Sequence, residues 1–379
     1  MGIFQSENYE MNYLRENIMS ENKVNKNTES RKTGKKKILP KILIALAAVV
    51  LLLIVGYIVY TAHMHYDIEP HESYNVADLG ENVAYSDVFY TNDISPEGLW
   101  KAYEALGATP SGNVAIKLST GEAGNPNHLD PQLIKELVQS VDGTIVECNT
   151  AYSGSQRMET EMHLQVAKDH GFTEIADVDI LDRDGYMVIP VDGGRNLKEN
   201  WVGKNLENYD YVITLTHFKG HPMAGFGGAM KNISIGFGSS QGKVRIHSGG
   251  KLKKPTITLA ALTTNQDIFT ESMAEAAKSV YDYMGHGERI IFINVMNNMS
   301  VDCDCVSTPA AVDMADIGIF ASLDPVALDQ ACIDQVFAAQ DGGSLQERIL
   351  SKNGLHILKH AQEIGLGNRA YKLISLDEE

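Results

Sequence analysis

Nine glycines fall in the thirty-five residues from Thr216 to Gly250, THFKGHPMAGFGGAMKNISIGFGSSQGKVRIHSGG, interleaved with His217, Lys219, His221, Lys231, Lys243, Arg245 and His247. Glycine lets the main chain approach a ligand and turn its N–H groups inward, which builds a concavity for an anion. Lysine and arginine add charge, and neutral imidazole binds metal or moves protons. The segment follows the apolar run Tyr211 to Leu215 and reads as one long loop at the end of a buried strand. It predicts a site for an anion or a charged cofactor, with Lys219, Gly225, Gly227, Gly228, Lys243 and Arg245 as binding residues. Taken singly, each glycine reads as a turn and each histidine as a hydrogen-bonded structural residue; the clustering points to a site. No Walker pattern and no intact dinucleotide fingerprint is present, so nucleotide binding is not expected.

A second constellation is Asp302-Cys303-Asp304-Cys305. In an extended segment, residues two apart project from the same face, so the two sulfurs could grip one soft metal, with Asp302 or Asp304 nearby. Two ligands do not complete a site; Cys148 or a histidine would have to join them. The alternative is two thiols, or a local disulfide, in a packed turn. The metals expected of such a set are iron, nickel or zinc. The four cysteines, Cys148, Cys303, Cys305 and Cys332, are too few and too scattered for a disulfide framework.

These residues need a scaffold, and the chain supplies one of mixed character. Ile42 to Tyr60 is nineteen residues without a charge, and the apolar run extends to Ala62. At about 1.5 Å per residue it spans roughly 30 Å, the hydrocarbon thickness of a bilayer. The run is too long for a signal peptide and lacks a good small-x-small cleavage site, so residues 42–62 read as an uncleaved transmembrane anchor. Arg31, Lys32, Lys35, Lys36, Lys37 and Lys41 precede it, and residues 61–80 contain no Lys or Arg. The positive flank places the N-terminus in the cytoplasm and the main domain outside it.

Residues 1–41 are expected to form a disordered cytoplasmic tail, and 63–80 a tether. The remaining 338 residues after the tail carry 23 basic and 44 acidic side chains, a formal charge of −21. Nucleic acid is a poor partner for such a surface. The expected partners are the membrane, through one helix, and a small molecule or anionic cofactor.

From about residue 81 to 379, short β-branched runs alternate with helical patterns. This predicts an α/β domain with a mostly parallel sheet covered by helices on both faces. Strands are expected at Asn113–Leu118, Thr144–Cys148, Val178–Leu181, Tyr211–Leu215, Arg289–Val295 and Ile317–Ala321. Helices are expected at Pro131–Ser140 with Asp130 as N-cap, at Met158–His170, at about Phe269–Tyr283 and after Pro325, where Asp324 reads as an N-cap. In such sheets ligands gather beyond the C-terminal strand ends. Asn149, Tyr152 and Arg157 follow a strand and could line the same edge, His128 sits in a loop, and His163 and His170 read as helix surface.

Taken together, HFKGHPMAGFGGAMKNISIGFGSSQGKVRIHSGG, VECNTAYSGSQR, NVMNNMSVDCDC and DIGIFASLDPVALDQACID resemble the bacterial DUF362 family, whose members are often labelled Fe–S centre proteins. The resemblance covers about residues 80–375. Many relatives carry a ferredoxin-like insert of spaced cysteines soon after the IHS segment. Lys251 to Phe269 contains no cysteine, so a ferredoxin-type cluster is not expected here. The stretch GHPMAGFGGAMK is also similar to one in the nickel-pincer lactate racemases, where a Gly-rich turn leads to the lysine that anchors the cofactor. That resemblance implies Lys231 at the lysine position, with His221 and His247 as metal or proton-transfer residues.

Two functions follow as expectations. The first is a membrane-anchored protein whose Gly-rich loop and Cys-x-Cys segment surround a metal or anionic cofactor for redox or proton-transfer chemistry. The second is a tethered binding module that captures an anionic small molecule without chemistry.

Overall fold

Strands buried on both faces have to be apolar at nearly every position, because no face is left for water. Four runs in the chain meet that requirement and form the middle of the sheet. The computed structural model describes residues 42–44, 46, 49–80, 82–253 and 257–377; the tail expected over residues 1–41 lies outside them. The chain divides into two units, the first ending at His65 and the second beginning at Tyr66. Within the first, helix α1, Ile42–Met64, has the length and apolarity needed to cross a bilayer, and its large side chains are exposed.

The second unit is the α/β domain. Its elements begin with α2 (Val76–Leu79), β1 (Ser86–Thr91), α3 (Pro96–Ala105), β2 (Val114–Lys117), α4 (Pro131–Ser140), β3 (Thr144–Glu147), α5 (Thr160–Asp169) and β4 (Val178–Ile180). A hairpin of β5 (Tyr186–Pro190) and β6 (Glu199–Gly203) precedes β7 (Tyr211–His217). Next come β8 (Lys219–His221), β9 (Gly225–Gly227), α6 (Ala229–Ser234), α7 (Ser240–His247), α8 (Ile257–Thr263) and α9 (Gln266–Tyr283). The chain closes with β10 (Ile290–Met296), β11 (Gly318–Ser322), α10 (Pro325–Ala338), α11 (Gly343–Ser351), α12 (His356–Glu363) and β12 (Tyr371–Ser375).

Eight strands form one sheet in the order β12-β1-β11-β10-β7-β2-β3-β4. The pairings from β10 to β4 are all parallel, and β11 runs antiparallel to both of its neighbours. Side chains alternate between two cores with the period-two rhythm of a strand. Ile290, Phe292 and Met296 of β10 join α6, α9, α10 and α12, while Ile291, Ile293 and Val295 join α3 and α4 on the other face. Asp130 and Asp324 cap α4 and α10 as expected, each followed by Pro at the first helical position.

The strand order reverses at β2. The chain runs outward through β3 and β4, then returns to place β7 on the other side of β2. The C-terminal ends of β2, β3 and β7 therefore splay around a crevice, the place where open α/β sheets take ligands.

The second unit begins on its own framework rather than as a free strand of chain. The Tyr66 hydroxyl donates to the Ser351 carbonyl at 2.9 Å, and the Glu69 amide donates to Asn353 Oδ1 at 2.7 Å. The Asp334 carboxylate then receives the Tyr74 amide and faces the His71 ring, which stacks on Phe337.

Candidate functional site

The crevice holds a cavity of about 320 Å³. Strand ends line it: Lys117 from β2, Glu147 from β3 with Cys148 just after it, and Thr216 and His217 from β7. The glycine-rich segment, read above as one loop, is more ordered than that. It folds into the β8–β9 hairpin, which contains Gly220, Gly225 and Gly227, followed by α6, which buries Ala229, Met230, Ile233 and Ser234, and α7, whose VRIH residues are all buried. Lys231 thus stands on α6, and Lys243 and His247 on α7, all lining the cavity.

Five basic side chains, Lys117, Arg157, Lys219, Lys231 and Lys243, line the cavity against two carboxylates, Glu147 and Asp304. Both carboxylates are already engaged. Glu147 faces Arg157 at 3.4 Å and His163 at 3.4 Å, and Asp304 faces Lys219 at 2.6 Å and His217 at 3.1 Å. Lys117 donates to the Leu118 carbonyl and to Asn232, and Lys243 to the Gly238 carbonyl, so neither has an acidic partner among the described residues. The Lys231 ammonium makes no hydrogen bond or ion pair among them. Burial pushes the Lys231 ammonium down to about 8; Asp304 opposes the shift, and Arg157, Lys117 and Lys243 reinforce it. Burial likewise brings Lys117 down to about 8, against the attraction of Glu147. The result is an excess of positive charge in a cleft of an otherwise acidic domain.

Two imidazoles in the same cavity have opposite tautomers. His221 Nδ1 accepts the Met223 and Ala224 amides at 3.2 and 2.9 Å, which closes the hairpin turn and leaves the proton on Nε2. His247 Nδ1 donates to the Lys243 carbonyl at 2.6 Å, so its Nε2 keeps a lone pair. Burial, with Lys231 and His247 nearby, holds His221 well below the usual histidine range. Burial pushes His247 down to about 4 despite its bond to Lys243. Both rings are therefore neutral, one a donor and the other an acceptor.

Cys303 and Cys305 are joined as a disulfide in a turn, not spread along an extended strand. Asp304 between them is spent on Lys219 and His217, and its carboxyl is held far below the usual range by His217 and Lys219, against its burial. Asp302 faces Arg348. His221, Cys303 and Cys305 bring their ligand atoms within 4.8 Å of one another and form a possible metal-binding group. Cys148 lines the cavity but stands outside that group. Its Sγ donates to the Phe237 carbonyl, and burial pushes the thiol up to about 12.

Of the glycines, Gly227 and Gly228 line the cavity, and Gly225 does not. Gly225, at φ +83°, supplies the left-handed turn into β9, where a β-carbon would crowd the backbone of Ile349 and Gly354. Arg245 points away, stacking over Trp201 at 4.5 Å and pairing with Glu199. His163 is a correction to the reading of it as surface. It is fully buried, with Nδ1 against Asn149 and Nε2 against Glu147, because α5 turns that face onto β3. His170 caps the end of α5 and stacks on His128 at 4.1 Å. Tyr152 and Arg157 line the cavity, as expected of residues beyond β3.

Sequence reasoning passed over Lys117, which lines the cavity, and Asp329, whose carboxylate receives the Ala229 and Met230 amides at the start of α6. Lys117 is the last residue of a strand otherwise buried as an apolar run, and a charge at that position was the available signal.

A family model described as a domain of unknown function, DUF362, matches residues 114–334. No curated protein matches the chain. Among solved structures, the lactate racemase apoprotein from Thermoanaerobacterium thermosaccharolyticum is similar with a TM-score of 0.40 and 16% identity, over 66% of this chain and 57% of that one. A protein from Thermotoga maritima is similar with a TM-score of 0.37 and 14% identity, over 63% of this chain and 57% of that one. The chain thus spans little more than half the length of either.

Proposed function

The chain belongs to the DUF362 family, and on that premise we propose that its cavity binds a small anionic molecule and moves a proton on it, in a domain anchored to a membrane by α1. Lys231 carries the reading. An ammonium partly enclosed in a cationic cleft, with no ion-pair partner among the described residues, is relieved when a ligand supplies the missing negative charge. Lys117 and Lys243 add charge around it, His221 presents an Nε2–H to the anion, and the Nε2 lone pair of His247 is the acceptor for a proton. The charge asymmetry around α1 supports an N-terminus in the cytoplasm and a domain outside.

The probe is inorganic phosphate, read as a rise in melting temperature of the full chain in detergent. Lys231→Met is expected to weaken phosphate binding by at least about tenfold, roughly 1.4 kcal/mol. Unchanged binding in that variant would sink the anion site. Affinity also depends on pH. Lysine carries its charge below its pKa, so binding is expected to hold below pH 8 and to decline as the pH rises through about 8, where Lys231 and Lys117 lose their protons. An affinity flat from pH 7 to pH 9.5 would exclude these two lysines from the site.

A metal is the second reading, favoured by the His221, Cys303 and Cys305 group. Its fit depends on redox state and tautomer. The sulfurs are ligands only as thiolates, and the disulfide withholds them. His221 Nε2 carries the proton that a ligand nitrogen must lack, unless the turn releases Nδ1. The expected result is that the oxidised chain takes up no zinc at this group. After reduction by a dithiol it should bind zinc, and Cys303→Ser or His221→Ala should remove it, as measured by equilibrium dialysis with elemental analysis.

A further inference from the structure

The cavity has a second character that the lysines do not explain. Beside its basic side chains the lining includes apolar ones, Met223, Ile257, Phe269 and Met273. Ile257 opens α8, whose sequence ITLAALT has no charge and buries a single residue, Ala260. Leu259 is 49% exposed and Leu262 is 57% exposed, which is unusual for leucines on a helix of a domain rich in acidic side chains. The exposed Lys251 and Lys253 precede the helix. An uncharged apolar helix beside lysines is the pattern of a segment lying on an anionic bilayer, its leucines in the acyl boundary and its cations among headgroup phosphates.

The position of α8 in the domain gives the same direction. Tyr66, two residues after Met64 in sequence, donates to the Ser351 carbonyl, and the Glu69 amide donates to Asn353 Oδ1. Asn353 Nδ2 donates to Asp267 in the first turn of α9, two residues beyond the Thr264-Asn265 link that follows α8. The neighbouring Gln266 Nε2 donates to the Lys352 carbonyl and to that of Met223, a cavity residue. One run of hydrogen bonds therefore joins the first residues of the second unit, the α8–α9 junction and the cavity wall. Ile68, in that run, is 54% exposed.

We propose that the end of the domain bearing α8 and Ile68 rests on the anionic surface of the bilayer, and that the cavity takes an anionic amphiphile from it, the phosphate on the lysines and the apolar part along Met223, Ile257, Phe269 and Met273. This rests on the anion site and the anchor argued above. It names the ligand class they serve.

The test uses the full chain in nanodiscs containing phosphatidylglycerol. A fluorophore is placed through Leu262→Cys, and through Lys135→Cys on α4 as a control on the other helical layer; labelling leaves the disulfide intact and the buried Cys148 and Cys332 unreacted. The label at 262 is expected to shift to the blue and to lose most of its emission to a lipid-borne quencher, and the label at 135 to lose none. Lys251→Glu with Lys253→Glu should restore most of the emission at 262. In a second arm, short-chain phosphatidic acid should raise the melting temperature more than glycerol phosphate at equal concentration. A water-exposed label at 262, or equal stabilisation by the two phosphates, overturns the inference and leaves the anion site standing. Stabilisation by neither overturns both.

Discussion

Arg157→Ala is expected to destabilise the domain by about 3–5 kcal/mol, the range for removing one partner of a buried charge cluster. The guanidinium is 3% exposed and lies between two carboxylates, 3.4 Å from Glu147 and 3.6 Å from Glu122. Burial alone would raise the pKa of both acids. Arg157 and His163 hold Glu147 well below the usual range, and hydrogen bonding from Ser155, with Arg157, keeps Glu122 below it. Without the arginine, the two buried carboxylates lose the cation they share and keep only hydrogen bonds and weaker partners. The pH dependence separates this from simple loss of packing. In the native chain Glu147 has a lower pKa folded than unfolded, so its contribution is present above the unfolded value and is lost as pH falls below it. In the variant the folded pKa rises, and protonation relieves the buried charge. The loss should therefore be largest near pH 7 and shrink as pH falls through about 4–5, the carboxylate range, in urea titrations of the full chain. A small loss that does not change with pH would mean that the cluster is screened by solvent.

Much of this fold was legible because its strands obey a simple rule. Strands buried on both sides leave unbroken apolar runs, and those at β2, β3, β7 and β10 fall within a residue or two of where the sequence places them. The direction of β11 was not legible, since burial on both faces makes the same pattern whichever way a strand runs. The interior of the Gly-rich segment was also hidden. Its helices are six and eight residues long, too short for periodicity to show against nine glycines. The clustering of Lys231, His221, His247 and Lys243 was readable, since all lie within one stretch of sequence. The role of Arg245 was not, because its partners Trp201 and Glu199 come from a separate hairpin. The surroundings of His163 depend equally on distant residues, since only the fold brings Glu147 against it.

Asp329→Ala is the second large effect expected, a loss of about 3 kcal/mol with the anion site lost alongside it. The carboxylate is fully buried beneath the glycine-rich turn, where it receives the Ala229 amide at 2.7 Å, the Met230 amide at 3.0 Å and Asn294 Nδ2 at 2.8 Å. It thereby anchors the first turn of α6, the helix that carries Lys231. Gly228 is required for this approach, since a β-carbon there would lie 2.2 Å from Asp329 Oδ1. Removing the carboxylate leaves the two buried amides without an acceptor, each costing about 1–3 kcal/mol, and Asn294 Nδ2 with only the Cys332 sulfur. Relief of an unfavourable buried charge offsets part of that, because burial pushes the Asp329 pKa up to about 6. An acid whose folded pKa exceeds its unfolded value holds its proton longer when folded, so native stability should fall as pH rises from about 4 to 6. Asp329→Asn keeps one acceptor and cannot ionise; it should lose less than the alanine variant and abolish that part of the pH dependence. Gly228→Ala should impair phosphate binding with Asp329 intact, by displacing the turn. If Asp329→Ala retained both stability and phosphate affinity, α6 would be held by its packing against α9 and α10, and the glycine at 228 would need another explanation.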